Sequence, residues 1–262
     1  IIGGMTQASM LHARGARINL TMLSNVLRFV QTTSPSYILM ASLDLARMQM
    51  ATEGEKLLDK AIKLAEEART RINQIPGLFC FGKEMIKDTL FAKMADLDVT
   101  KLTISVSDLG LTGFQVSQML NNKYNIQVEM ADPYHILVIV SIGDRRDDLL
   151  RLVEALREIS NDHFHQGPKN LFQEVGFPVF GNQTALTPRE AFFADTQYVD
   201  LEKSVEAISS EIVTVYPPGV PVLVPGEVIS KEAVEYLQKM LKLGATVDGL
   251  DDTNTLIGIV KR

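Results

Sequence analysis

The chain has 262 residues, 46% of them hydrophobic and 22% charged, with a formal net charge of -6. This is a globular composition able to bury a sizeable core, as one large domain or two smaller ones. The acidic balance gives no basis for binding nucleic acid, the single cysteine excludes an internal disulfide, and no apolar run reaches the roughly 20 residues of a membrane span. The sequence therefore reads as a soluble cytoplasmic protein without a membrane partner. Cys80, set in LFCFG, reads as a buried, inert thiol.

The chain opens on Ile1 rather than Met and reads as the continuation of a longer one. Its first stretch, IIGGMTQASMLH, combines paired glycines with Thr6, Gln7 and Ser9, the texture of a loop in which backbone approaches a neighbour closely. His12 reads as a packed or interface histidine. Leu23, Val26, Leu27 and Val30 recur at helical spacing and predict a helix over 21–31. Ser34 and Pro35 then carry cap and first-turn chemistry for a second helix over 36–50, apolar almost all round and so buried in a core or under a partner chain. Its N-terminus has two readings, plain capping or an anion site built from Thr33, Ser34 and free N–H groups.

A third helix is predicted over 53–74, stopped by Pro76-Gly77. Strands over 101–106, 126–130 and 135–142 then alternate with helices over 112–123 and from Asp144 onward, which makes an α/β layer. Residues 161–187 lack periodicity and read as a linker. Its His163 and His165 have no third ligand at familiar spacing, so no metal is assigned. A helix over 201–213 and another capped by Ser230 precede a last apolar run, 255–260.

Between those helices lies Tyr216 to Glu227, YPPGVPVLVPGE, where prolines and glycines shape a bend. Pro221 within the run argues for an edge strand or a wall. Glu227 stands at its exit, either as a carboxylate that recognises a cation or as a solvated residue ahead of the next helix.

Four segments together, TQASMLH (6–12), TTSPSYILMASLD (32–44), TPREAFF (187–193) and YPPGVPVLVPGE (216–227), resemble the C-terminal half of the Orn/Lys/Arg decarboxylases. That resemblance covers nearly the whole chain in the family's order. It implies an α/β fold, the C-terminal part of a fold-type-I, aspartate-aminotransferase-like enzyme that uses pyridoxal 5'-phosphate. It also implies four regions: the end of the large cofactor domain (1–75), a small α/β domain (76–165), a linker (166–182) and a C-terminal decarboxylase domain (183–262).

The implied reaction is decarboxylation of a basic amino acid to its amine for polyamine metabolism. Arginine is the favoured substrate and lysine or ornithine the alternatives, with no residue here to discriminate between them. The resemblance places no catalytic residue within this chain, since the Schiff-base lysine is expected immediately before Ile1. It implies that Thr33 and Ser34 approach the cofactor phosphate of the neighbouring subunit and that Glu227 helps to select the substrate's distal cation. The implied partners are the N-terminal half of the same enzyme and further copies in a homodimer or higher homo-oligomer.

Two other readings stay open. One is a lysine-less interaction or regulatory module, whose gene would start near Ile1. The other is an aminotransferase of the same fold, for which Arg189 is the motif-borne candidate to hold a second carboxylate.

Overall fold

The computed structural model describes residues 3–87, 95–164, 181–216 and 219–261. His165, most of the predicted linker, and Pro217 and Pro218 of the proline-rich bend lie outside the described residues. The chain divides into two compact units, Ile1–Lys63 with Ser141–Asp144, and Leu64–Val140 with Arg145–Arg262.

In the first unit, α1 (Leu20–Val30) is capped by Asn19, whose side chain accepts the Met22 N–H, and no residue of α1 is buried. The two helices expected over 36–50 and 53–74 are one, α2 (Tyr37–Ile72). No proline interrupts the 51–54 junction, and the Thr52 hydroxyl bonds back to the Met48 carbonyl at 2.9 Å instead of capping a new start. The helix begins at Tyr37, so Ser34 and Pro35 stand ahead of it rather than in its cap and first turn. The opening segment lies on α2: the Met5 N–H donates to Ser42 Oγ at 3.2 Å, and that hydroxyl donates to the Leu39 carbonyl. Phe29 of α1 and Tyr37, Ile38 and Leu45 of the first turns of α2 are exposed, so among the described residues these apolar side chains stay uncovered, while Ala61, Ala65 and Ile72 further along α2 are buried. His12 is likewise exposed.

The second unit takes the end of α2 and packs it with a four-stranded antiparallel sheet, order β1-β2-β4-β3. Its strands are β1 (Phe79–Cys80), β2 (Lys101–Ser105), β3 (Met130–Ala131) and β4 (His135–Ile139). Two helices complete this layer, α3 (Gly113–Tyr124) and α4 (Arg146–His163). Ala68, Ile72, Leu102, Ile104, Val116, Leu120, Ile136 and Leu156 are the centre of one core.

Thr112 caps α3 with Gln115 reciprocating, as the cap-and-box pattern requires. A Cβ on Gly113 would lie 2.0 Å from the His135 carbonyl oxygen, so only glycine lets α3 start against the β3–β4 turn. The strand expected over 126–130 shortens to β3 because Asn125 turns left-handed (φ 52°) and the Ile126 N–H closes α3 on Leu120. Asp144 does not cap α4. Its carboxylate takes the Ser141 N–H, and Asp148 takes the N–H of Arg145, the residue in the cap position.

The C-terminal part holds α5 (Pro188–Phe193), β5 (Thr196–Asp200), β6 (Val213–Tyr216), β7 (Val220–Leu223), α6 (Lys231–Lys242), β8 (Thr246–Asp248) and β9 (Leu256–Val260). β5 pairs with β9, and β7-β6-β8 form a three-stranded antiparallel sheet. Proline-containing β7 is an edge strand, the position its missing N–H allows. The helix expected over 201–213 is absent. Only a single turn, Leu201–Lys203, forms, because the Ser204 hydroxyl bonds the Leu201 carbonyl and the Ser209 hydroxyl bonds that of Glu211. Leu201, Val213, Leu223, Ile229, Leu237 and Ile257 make a second core, and Phe114 of α3 packs on both cores.

Candidate functional site

Glu227 closes a four-residue turn, Val224-Pro225-Gly226-Glu227, in which its N–H donates to the Val224 carbonyl at 3.2 Å. Proline second and glycine third, the latter at φ +95°, is the type II pattern. No other residue fits at Gly226, where a Cβ would sit 2.2 Å from the Leu186 carbonyl oxygen. The Glu227 side chain folds back on this turn. Its Oε2 accepts the Val224 N–H and the Asn182 amide, both at 3.1 Å, while Oε1 stays outside these two bonds.

The backbone around Glu227 is equally tied. Glu227 bridges Thr184 in antiparallel sense, the Val228 N–H donates to Gln183, and the Ser209 N–H donates to Glu227 itself. Val222 and Leu223 of β7 are buried beside it and Val220 is exposed, so the run is apolar wall on one side and surface on the other. The half-buried carboxylate is thus held through Oε2 by two neutral donors.

Asn182 was invisible to sequence reasoning. It sits 45 residues before Glu227 in a segment without periodicity, and only the folded backbone brings the two together.

Thr33 and Ser34 belong to the first unit and are exposed on the turn ahead of α2. The Ser34 N–H is taken by Thr32 Oγ1 at 3.2 Å. Thr33 and Ser34 thus offer two exposed hydroxyls a few residues ahead of the start of α2.

Other candidates resolve into structure. His135 bonds Asp132, with Nδ1 3.1 Å from both carboxylate oxygens, and Asp132 also accepts the N–H groups of Tyr134 and His135, so the pair locks the β3–β4 turn. Cys80 is fully buried, and burial pushes its thiol up to about 11, outside the range of a nucleophile. Arg189 lies over the Phe193 ring, 5.2 Å from its centre. His163 is half-buried at the end of α4, and no cluster of three or more His, Cys, Asp or Glu able to hold a metal occurs among the described residues.

Residues 1–148 match the Orn/Lys/Arg decarboxylase major domain, and residues 169–258 the C-terminal domain of the same enzymes. The chain belongs to the Orn/Lys/Arg decarboxylase family. Among curated relatives, an arginine decarboxylase of Bacillus subtilis is 42% identical over 261 residues, covering 99% of this chain and 52% of the relative. An arginine decarboxylase of Bacillus anthracis is 39% identical over 251 residues, covering 95% and 50%. The solved lysine decarboxylase of Francisella novicida superposes with a TM-score of 0.75 at 22% identity, over 99% of this chain and 48% of that one, so the α/β fold is shared. The chain spans about half the length of the curated relatives it matches.

Proposed function

We propose that this chain is part of a pyridoxal-phosphate-dependent carboxy-lyase that converts arginine to its amine and CO2, with Glu227 recognising the guanidinium. The observation that carries the reading is Glu227 itself, a carboxylate pinned through one oxygen by neutral donors in a chain 42% and 39% identical to two arginine decarboxylases.

Each residue has a separable task. Glu227 Oε1 pairs with the distal cation, and a substrate lacking that charge leaves a half-buried carboxylate unpaired, which is how the site discriminates. A guanidinium and an ammonium can both donate to one carboxylate oxygen, so the choice of arginine rests on the two arginine decarboxylases to which this chain is similar. Thr33 and Ser34 would donate their hydroxyls to the cofactor phosphate. The cofactor, when bound, supplies the electron sink that makes loss of the carboxylate feasible. The resemblance puts the lysine that carries it ahead of Ile1.

Within the enzyme we assign 1–75 to the end of the large domain, 76–165 to the small domain, 166–182 to a linker and 183–262 to the C-terminal domain. A homodimer is part of the reading, supported by the exposed apolar side chains of α1 and of the first turns of α2. So is a cytoplasmic location, for which none of the described helices is long and apolar enough to cross a membrane.

The test is CO2 and amine release by the full gene product, supplied with pyridoxal phosphate, from arginine, lysine, ornithine and an uncharged amino acid. Release from arginine above the others is expected. Turnover of the uncharged amino acid alone would overturn the reading.

A further inference from the structure

We propose that Asn182 is the positioning residue of Glu227 and thereby a determinant of charge specificity. The inference rests on the reading of Glu227 given above. Asn182 Nδ2 donates to Glu227 Oε2 at 3.1 Å and to the Val222 carbonyl at 3.0 Å, while its Oδ1 accepts from Ser230 Oγ at 3.4 Å. Val222 is the residue skipped where the β6–β7 register shifts, and Asn182 takes its carbonyl. One amide therefore joins an edge strand, the cap of α6 and the substrate-facing carboxylate.

The orientation of that amide follows from its surroundings. The Ser230 hydroxyl already accepts the Ala233 N–H as the cap of α6, so its own proton is left to donate to Oδ1. Reversing the amide would set Oδ1 against two acceptors, a carbonyl and a carboxylate. The backbone just after it is held as well, since the Gln183 carbonyl accepts the Val228 N–H and the Ala185 N–H donates to the Gly226 carbonyl. The consequence for Glu227 is specific. An amide fixes one carboxylate oxygen without supplying a positive charge, whereas a lysine or arginine in its place would compete with the substrate's cation. Pinning by a neutral group leaves the full negative charge for the ligand.

The experiment measures kcat and KM of the full gene product for arginine and for citrulline, its uncharged ureido analogue. The variants are Asn182→Leu, Ser230→Asp and Glu227→Gln. Asn182→Leu removes all three bonds. Ser230→Asp keeps a good helix cap but replaces the donor facing Oδ1 by an acceptor, which removes the bond that anchors the amide on that side and repels it from its seat, so it reports even if Asn182→Leu fails to fold.

Positioning predicts that both variants raise KM for arginine about tenfold with kcat within about twofold, and lower the arginine-over-citrulline preference by the same factor. A merely structural tie would lower thermal stability and leave that preference intact, which overturns the proposal. Glu227→Gln separates the two failures. If it raises KM while the Asn182 and Ser230 variants do not, Asn182 has no positioning role. If it leaves KM unchanged, the reading of Glu227 fails and the proposal falls with it.

Discussion

Arg146 Nη2 on the first turn of α4 lies 2.6 Å from Oε1 of Glu67 on α2, 79 residues earlier, and Arg71 bonds the same oxygen at 2.9 Å from one turn along α2. The hydrogen bonds from Arg146 and then Arg71 lower Glu67 from 4.5 to about 2. Because the folded value is depressed, the contribution to stability is present above pH 4.5 and is lost as pH falls toward 2. Glu67→Gln should therefore lower Tm at pH 7, and the gap to wild type should close as pH is taken from 4.5 to 2. A gap that stays constant with pH would remove the ionic origin. The pair is solvent-accessible, so added salt should also narrow the gap.

Arg69 on α2 is 8% exposed, and its Nε and Nη2 donate to the carbonyls of Phe81 and Val99, both at 2.7 Å. No carboxylate takes part in these bonds. Arg69→Met keeps the apolar stem but strands both carbonyls, and should cost about 2–4 kcal/mol in chemical denaturation. A cost below about 0.5 kcal/mol would mean that water replaces the guanidinium without penalty.

At the turn that carries Glu227, Gly226→Ala meets both a left-handed φ and the Leu186 carbonyl 2.2 Å from the new Cβ. The backbone strain alone amounts to about 1–3 kcal/mol. The expected outcome is a lower Tm together with a raised KM for arginine, since the turn aims the carboxylate. A lower Tm with KM unchanged would detach the turn from substrate binding.

Thr33→Val and Ser34→Ala should weaken cofactor retention, read as a rise of about tenfold in the pyridoxal-phosphate concentration needed for half-maximal activity, while KM for arginine holds. The opposite split would take these hydroxyls out of the phosphate site.

Much of the fold was legible because it is local. Ser230 announces α6 by cap chemistry, Pro221 announces an edge strand, and the apolar spacing over 112–123 and 101–106 foretells α3 and β2. The failures were also local in cause. Serine hydroxyls at 204 and 209 turned the chain where apolar spacing over 201–213 promised a helix, and the 51–54 junction ran on because nothing there stops a helix. The site was legible only in part. Glu227 stands out through the prolines and glycines of its own short segment, but Asn182 lies 45 residues before Glu227 and 48 before Ser230, separations that no spacing rule reads.

The most direct measurement is steady-state kinetics of the full gene product with Glu227→Gln, followed alongside the absorbance of the bound cofactor. Recognition of the substrate's cation by Glu227 predicts a rise in KM for arginine of about 10- to 100-fold with the cofactor spectrum unchanged. An unchanged KM, or a loss of cofactor absorbance that accounts for all the lost activity, would contradict it.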